Sequence, residues 1–432
     1  MVISDMAKII ARQGNELTIQ VKVTIEGSLL DAENMIQNAC NEVGLLATEE
    51  ALKNFDTDGS PLATGAIKWT AKPPSEKKYQ TPYGVVEVTR YTYQTSKGGK
   101  VWCPLEERAC IIRGGTPRLA KQVAHKYAHM NAQAVCQDFE ANHNRKITKS
   151  YVQNMADWVG GIAQAREEDW IYTLPELEAD VATLVFSMDG AYILMQEDGW
   201  REAMVGTLSC YDAEGNRLHS LYLGAPPEYG KDTFKQRFEK EIQRIKARYP
   251  DALYLGIADG AKDNWSFLTP HTDRQLVDFY HVTEYLSKVA YAAFPQKTGK
   301  PLRGKWLSDR CHQLKHEVGA AAKLIDEMEA LNQRKGLPKA IKDDLTQALT
   351  YFSNHQQRMN YAAHTAHQLP IGSGVTEAAC KTLVKQRLCC SGMRWKNQGA
   401  GILLSLRSLV QSGDRWDQFW HKINQYGAQC SI

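Results

Sequence analysis

The sequence predicts a mixed α/β chain of two or three domains, and three observations carry that prediction. Its 432 residues exceed the size at which one hydrophobic core stops growing. Hydrophobic residues make up 43% and charged residues 23%, a globular balance that excludes a disordered or fibrous chain. Segments with the two-residue period of strands alternate with segments of helical period.

Near the N-terminus Leu17, Ile19, Val21, Val23 and Ile25 alternate with Thr18, Gln20, Lys22 and Thr24, the period of a half-buried strand. A helix is expected over roughly 28–55, with loops through the polar, Pro-rich stretch 56–81. A strand from Gly84 to Tyr93 then turns at SKGGK into Val101 and Trp102. Residues 1–105 thus read as a small mixed α/β module. Residues 106–175 read as helical, with the segments PRLAKQVAHKYAHM, AQAVCQDFEAN and TKSYVQNMADWVGGIA, and with Asn131 and Thr148 as N-caps. Two readings of that stretch stand: a plain helical connector, and a helix-turn-helix whose recognition helix would carry Lys149, Gln153 and Asn154 near its start.

From Asp180 the pattern changes. VATLVFSMDGAYILM, REAMVGTLSCYD and RLHSLYLGA are three apolar runs of strand length separated by EDG and AEGN turns, an antiparallel meander. The amphipathic segment DTFKQRFEKEIQRIKARY leads back to DALYLGIADGA, whose Leu253, Leu255 and Ile257 suggest a strand buried inside a sheet. RQLVDFYHV supplies a fifth strand. Three antiparallel strands, a crossover helix and two further strands is the element order of the ribonuclease H-like fold, though not of that fold alone. The expected core therefore begins in 176–284, takes a charged helical insertion over 285–365, too long for a loop, and is completed by a Glu377 helix and C-terminal helices in 366–432.

Asp189 follows the apolar run LVFSM and Asp259 follows LGIA, so each acid is expected at or near the end of a buried strand. Asp-Gly is also the favoured pair of a tight hairpin. Asp198-Gly199 fits that plainer role; Asp189 fits it less readily, because apolar residues continue on both sides. Converging carboxylates repel one another and need a proton or a cation between them, and hard oxygen ligands point to magnesium, with manganese as a substitute. Two such ions about 3.5–4 Å apart activate an attacking oxygen and stabilise a leaving oxygen in phosphoryl transfer. Glu377 follows the flexible Gly372-Ser373-Gly374, and Glu377, Lys381 and Lys385 are expected near one helix face. A surface salt bridge is the plainer reading of that spacing. His364 and His367 read as capping or packing residues of a helix.

The formal charge of +3 is too small to decide on a nucleic-acid partner, because phosphate binding depends on where charge sits. Between Arg108 and Ser150 there are eight Lys or Arg against two acids, and between Ala378 and Gly413 six against none, which marks both stretches as candidate DNA-facing surfaces. The ten cysteines contain no C-x-x-C spacing, which argues against a zinc ribbon or disulfide scaffold and for a reducing cytoplasm. The first residues lack the apolar core of a signal peptide, and no apolar run approaches the roughly 20 residues that span a bilayer. Phosphate-loop, dinucleotide-binding, zinc-helix and nucleophile-elbow motifs are all missing.

The residues that carry this chemistry resemble the DDE transposases of bacterial insertion sequences, specifically the ISKra type. The most specific stretch runs from Asn354 to Trp420, with NHQQRMNY, PIGSGVTEAACK, VKQRLCCSGMRW, the Gly-Ala of KNQGAG, SLRSL and DRWDQFW. Upstream, SMDGA and IADGAKDNW match the family's first two acidic motifs, and DFYH resembles an Asp-x-x-His element of related transposases. The first hundred residues resemble the family more weakly, and nothing catalytic is carried over there. The resemblance implies Asp189, Asp259 and Glu377 as catalytic metal ligands, with Asp278 and His281 as a supporting pair, although His281 reads equally as a structural histidine. It adds Arg387, Arg394 and Trp395 to Lys381 and Lys385 as DNA-contacting residues, with Trp395 equally readable as core.

The implied activity is binding of the ends of the chain's own mobile element, magnesium-dependent hydrolysis there, and attack of the freed 3′-hydroxyl on target DNA. Double-stranded DNA would be the partner, a homo-oligomer the working form and the nucleoid of the cytoplasm the location. A nuclease of the same fold, a transposase-derived DNA-binding regulator without catalysis and a metabolic α/β enzyme are the alternatives.

Overall fold

A computed structural model describes residues 6–167 and 169–428 of the chain. The chain divides into two compact units, one comprising Met1–Thr173 with Ser405–Val410 and Asp414–Ile432, the other Leu174–Leu404 with Gln411–Gly413.

In the first unit, Ala7–Gln13 pairs antiparallel with Glu16–Val21, a partner strand too exposed to announce itself by alternation. The helix Leu29–Lys53 starts at a capping box, in which Ser28 Oγ accepts from the Asp31 amide at 3.3 Å and the Asp31 carboxylate accepts from the Ser28 amide at 3.0 Å. The stretch 56–81, expected as loops, contains the strands Leu62–Thr64, Ile67–Ala71 and Ser75–Gln80. Their partners, not their composition, make them strands: Thr70 pairs with Gln94, and Ser75–Gln80 pairs with Val85–Arg90.

The helices Pro117–His129, Ala132–His143 and Lys149–Arg166 follow. Asn131 and Thr148 cap the second and third as expected, accepting from Ala134 N at 3.0 Å and Tyr151 N at 3.3 Å. They bury Leu119, Val123, Val135, Phe139, Val152, Met155 and Val159. Arg415–Tyr426 belongs to the same unit, where Phe419 packs 5.6 Å from Trp170 between ring centroids.

The second unit is built on one five-stranded sheet. Its strands are β1 (Thr183–Met195), β2 (Gly199–Tyr211), β3 (Arg217–Ala225), β4 (Leu253–Ala258) and β5 (Arg274–Val277), in the spatial order β3-β2-β1-β4-β5. The first three pair antiparallel, while β4 runs parallel to both β1 and β5. Asp198-Gly199 makes the β1–β2 turn, where Gly199 takes a φ of 69° that side chains disfavour. Return to a parallel strand needs a crossover, supplied by α1 (Asp232–Arg248), which buries Phe234, Phe238, Ile242 and Ile245 at helical spacing.

After β4 come α2 (Lys262–Leu268), then α3 (Phe279–Ala293), α4 (Lys300–His316), α5 (Ala320–Asn332), α6 (Lys339–His355), α7 (Tyr361–Ala366) and α8 (Gly374–Ala379). The helical span expected over 285–365 is present and shares the sheet's core: Val289, Leu314, Leu324, Leu345 and Phe352 lie in one apolar cluster with Phe186, Leu255 and Ile257. Full burial of each such side chain stabilises the fold by about 1.5–3 kcal/mol. No helix among the described residues is long and apolar enough to cross a membrane.

Candidate functional site

The sheet register decides where the acids lie. Leu253 pairs with Thr183 and Gly256 with Phe186, the last pair between these strands, so Asp189 lies three residues beyond it on β1 while Asp259 directly follows the end of β4. On the other side Ala258 pairs with Val277, and the next step sets Asp278 beside Asp259; the Asp278 amide donates to the Ala258 carbonyl at 2.9 Å. Asp259 and Asp278 thus directly follow the last residues of β4 and β5, and Asp189 lies on the neighbouring β1. Asp189 is not at a strand end as expected, because β1 continues to Met195 in its pairing with β2. It lies instead three residues past the last residue of β1 that β4 pairs, half-buried towards the carboxyl edge of the parallel strands.

Asn264 of α2 ties two of these positions together. Its side-chain amide donates to Asp259 Oδ1 at 2.8 Å and lies 3.5 Å from the Met188 carbonyl, one residue before Asp189. Asp259 Oδ1 also accepts from the Ala261 amide at 3.1 Å. Asp189 accepts from the Gly190 amide at 2.7 Å through Oδ1, while the Cys380 thiol reaches its Oδ2 at 3.6 Å. Burial first, and then the charge of Asp259, pushes Asp189 above the usual carboxylate range.

Asp278 is 0% exposed and saturated. It caps α3 by accepting from the Tyr280 and His281 amides at 2.6 and 3.1 Å, and its other oxygen accepts from the amide and hydroxyl of Ser373. Burial pushes Asp278 up, but its donors outweigh that and hold it below the usual range. Ser373 immediately precedes α8, so Asp278 pins the start of the helix that carries Glu377. The Thr376 hydroxyl meets the Thr207 hydroxyl of β2 at 2.6 Å, a second pin one residue before Glu377.

Glu377 itself is 42% exposed at its side chain. Burial and the charge of Asp278 push it upward. His281 Nδ1 lies 3.7 Å from Asp278 Oδ1 and 3.8 Å from Glu377 Oε1, distances of ion pairs rather than hydrogen bonds, and Nδ1 is buried without a hydrogen-bond partner. Asp278 pulls the imidazole up to about 9 against the lowering effect of burial.

Asp278, His281 and Glu377 form a group compact enough to hold a metal ion, their ligand atoms lying within 4.8 Å of one another. Asp189 and Asp259 are coupled to it electrostatically, Asp189 acting on Glu377 and Asp259 on His281. The donor set is one of carboxylate oxygens with a single imidazole, which suits a hard divalent cation.

No protein-family model matches the chain, and no curated protein matches it.

The expected DNA-contacting residues fall into three kinds. Lys149, Gln153 and Asn154 are exposed in the first turns of Lys149–Arg166, and Lys381, Lys385 and Arg394 are exposed in the second unit. Arg387 is not at the surface: it is 3% exposed, with Nη1 3.7 Å from Met393 Sδ and its guanidinium 5.7 Å from the Trp395 ring centre. Trp395 is a sheet residue in effect, its amide donating to Leu194 O and its carbonyl accepting from Gln196 N, both at 2.9 Å, while its indole donates to Leu388 O at 2.8 Å.

The expected common face of Glu377, Lys381 and Lys385 also changes, because Cys380–Lys385 winds as a π-helix with bonds one residue longer than those of an α-helix. Sequence reasoning misses Asn264, Ser373, Thr207, Thr376 and Cys380 altogether. Only Asn264, in the IADGAKDNW motif, had a local signal; the others act through partners far along the chain.

Proposed function

We propose that the chain is a transposase of the DDE kind, which binds the ends of its own insertion sequence and catalyses metal-dependent cleavage and strand transfer of DNA. The observation that carries the reading is the placement of Asp189 on β1 and of Asp259 directly after the neighbouring β4, with Asn264 reaching both Asp259 and the Met188 carbonyl, and Glu377 held against the same sheet by the Thr376–Thr207 and Ser373–Asp278 contacts. The strand order β3-β2-β1-β4-β5 with a helical insertion before Glu377 supports a ribonuclease H-like assignment for the second unit. Ligands of open α/β sheets bind at this carboxyl edge.

In this reading Asp189, Asp259 and Glu377 hold two magnesium ions, or manganese in their place. Among the described residues Asp189 Oδ2 meets the weak Cys380 thiol donor at 3.6 Å and Glu377 Oε1 has His281 Nδ1 3.8 Å away, beyond hydrogen-bond distance, so both keep acceptor capacity. Asp278 has none left and supports the site by placing Glu377 and His281. The metal, when bound, supplies the charge that activates the attacking oxygen and stabilises the leaving one. Asn264 fixes the direction of Asp259 by donating to its Oδ1 at 2.8 Å.

Lys381, Lys385 and Arg394 would contact the phosphate backbone of double-stranded DNA near the site, and Lys149, Gln153 and Asn154 would read the element ends from a helix-turn-helix. Two ends must meet, so a homo-oligomer is the working form.

The test is cleavage and joining of a labelled duplex carrying the gene's flanking DNA, with magnesium, by the wild type and Glu377→Gln. The variant keeps size but loses a charged ligand, and is expected to lose cleavage by three orders of magnitude or more, on the order of 4 kcal/mol, while binding the ends as the wild type does. Binding without cleavage by the wild type would sink the enzymatic reading in favour of a regulator, and cleavage without joining would favour a nuclease.

A further inference from the structure

Gly260 follows Asp259 directly, and a methyl group placed on it would lie 2.4 Å from Tyr351 Cε2 and 2.8 Å from His355 Nε2. The bare glycine therefore lets α6, a helix of the insertion, lay these two side chains against the peptide that carries Asp259. Tyr351 is fixed there on both sides. Its ring stacks on Tyr285 at 4.0 Å with an interplanar angle of 19°, and lies 4.8 Å from the His355 ring.

Held so firmly, the Tyr351 hydroxyl is nevertheless buried and has no hydrogen-bond partner, and His355 Nδ1 beside it has none either. A hydroxyl enclosed without a partner costs about 1–3 kcal/mol, and this one belongs to a ring packed against the glycine that follows Asp259. Burial raises the phenol first, and Tyr285, Asp259 and Asp278 act on it in the same direction.

We propose that Tyr351 is a positioning residue of the metal site, its hydroxyl donating a hydrogen bond to the water or carboxylate oxygen that a divalent cation holds at Asp259. The inference rests on the reading of Asp189, Asp259 and Glu377 as metal ligands. It gives the helical insertion a part in the site: α6 closes over Gly260 and supplies a donor that no residue of the sheet provides. Donors placed behind metal ligands orient them, and their removal weakens metal affinity by about 10–100-fold.

The experiment is a titration of manganese into the full-length wild type and Tyr351→Phe, read by the electron paramagnetic resonance of free manganese, with a thermal melt of each protein in chelator. The phenyl ring retains the stacking on Tyr285 and removes only the unpartnered oxygen. Tyr351→Phe is expected to bind manganese about tenfold more weakly yet to melt, without metal, at the same temperature as the wild type or higher. A purely structural role would give the opposite pattern, a lower melting temperature with unchanged affinity, and overturn the proposal. Equal affinities with a wild type that binds manganese and cleaves DNA would overturn it while leaving the transposase reading intact. A wild type that binds no manganese would overturn both.

Discussion

At the scale of single residues, the chain separates acids whose oxygens are taken up by the fold from acids that keep acceptor capacity. Asp278 has all its acceptor capacity taken by Tyr280, His281 and Ser373, whereas Glu377 is 42% exposed at its side chain, with His281 Nδ1 3.8 Å away. A buried histidine offers a check on the same unit. His364, in α7, is 4% exposed, and burial lowers it to about 4 from an ordinary 6.5. The unfolded chain takes up its proton first as pH falls, so the stability linked to neutral His364 is present above pH 6.5 and lost progressively towards pH 4, on the order of 2–3 kcal/mol. Chemical denaturation at pH 7 and pH 4.5 should show that loss in the wild type, and His364→Leu should reduce it; an equal loss in both would remove His364 as its source.

At the scale of elements, α8 is a short helix whose position depends on two pins. Ser373 meets Asp278 at its start, and Thr376 meets Thr207 from the sheet at 2.6 Å. Thr376→Val keeps the shape and strands the buried Thr207 hydroxyl, which should cost about 1–2 kcal/mol. Because the next residue is Glu377, cleavage should fall by about tenfold, the rate equivalent of 1.4 kcal/mol, with DNA binding retained; a variant that is destabilised but cleaves normally would show that this pin does not position Glu377. The π-helical turn that follows is the element least legible in advance. Its residues CKTLVK have ordinary helix-forming character, and the wider winding is set by where Cys380 meets Asp189 and where Leu383 and Val384 bury.

At the scale of the molecule, the second unit gathers acids in which burial first, and then mutual charge, pushes Asp189 and Glu377 upward. Magnesium or manganese bound to the native state alone should therefore raise the melting temperature of the wild type, by the equivalent of about 2.7 kcal/mol at a hundred times the dissociation constant. Chelator should reverse the shift and Glu377→Gln should shrink it; a melting temperature indifferent to both metals would count against the site. The core of this unit is continuous from Phe186 and Ile257 of the sheet to Leu345 and Phe352 of the helices, so stabilisation at the acids is expected to reach the helical insertion as well.

The strands around Asp189 and Asp259, the crossover helix and the helical span after β5 were legible in the chain because each carries its own period: alternation or a continuous apolar run for strands, a stripe of Phe234, Phe238, Ile242 and Ile245 for the helix. The caps Asn131 and Thr148, the Asp198-Gly199 turn and the packing of His364 were legible for the same reason, since each depends on near neighbours in sequence.

Register was not. That β4, which leads into Asp259, pairs between β1 and β5 follows from contacts across strands separated by a crossover, and one residue of slip would have turned their side chains to opposite faces. Nor could local pattern tell that Arg387 is buried, that Trp395 pairs with β1, or that Tyr351 lies against Gly260. Those positions are set by contacts between residues remote along the chain, which only the packed tertiary structure brings together.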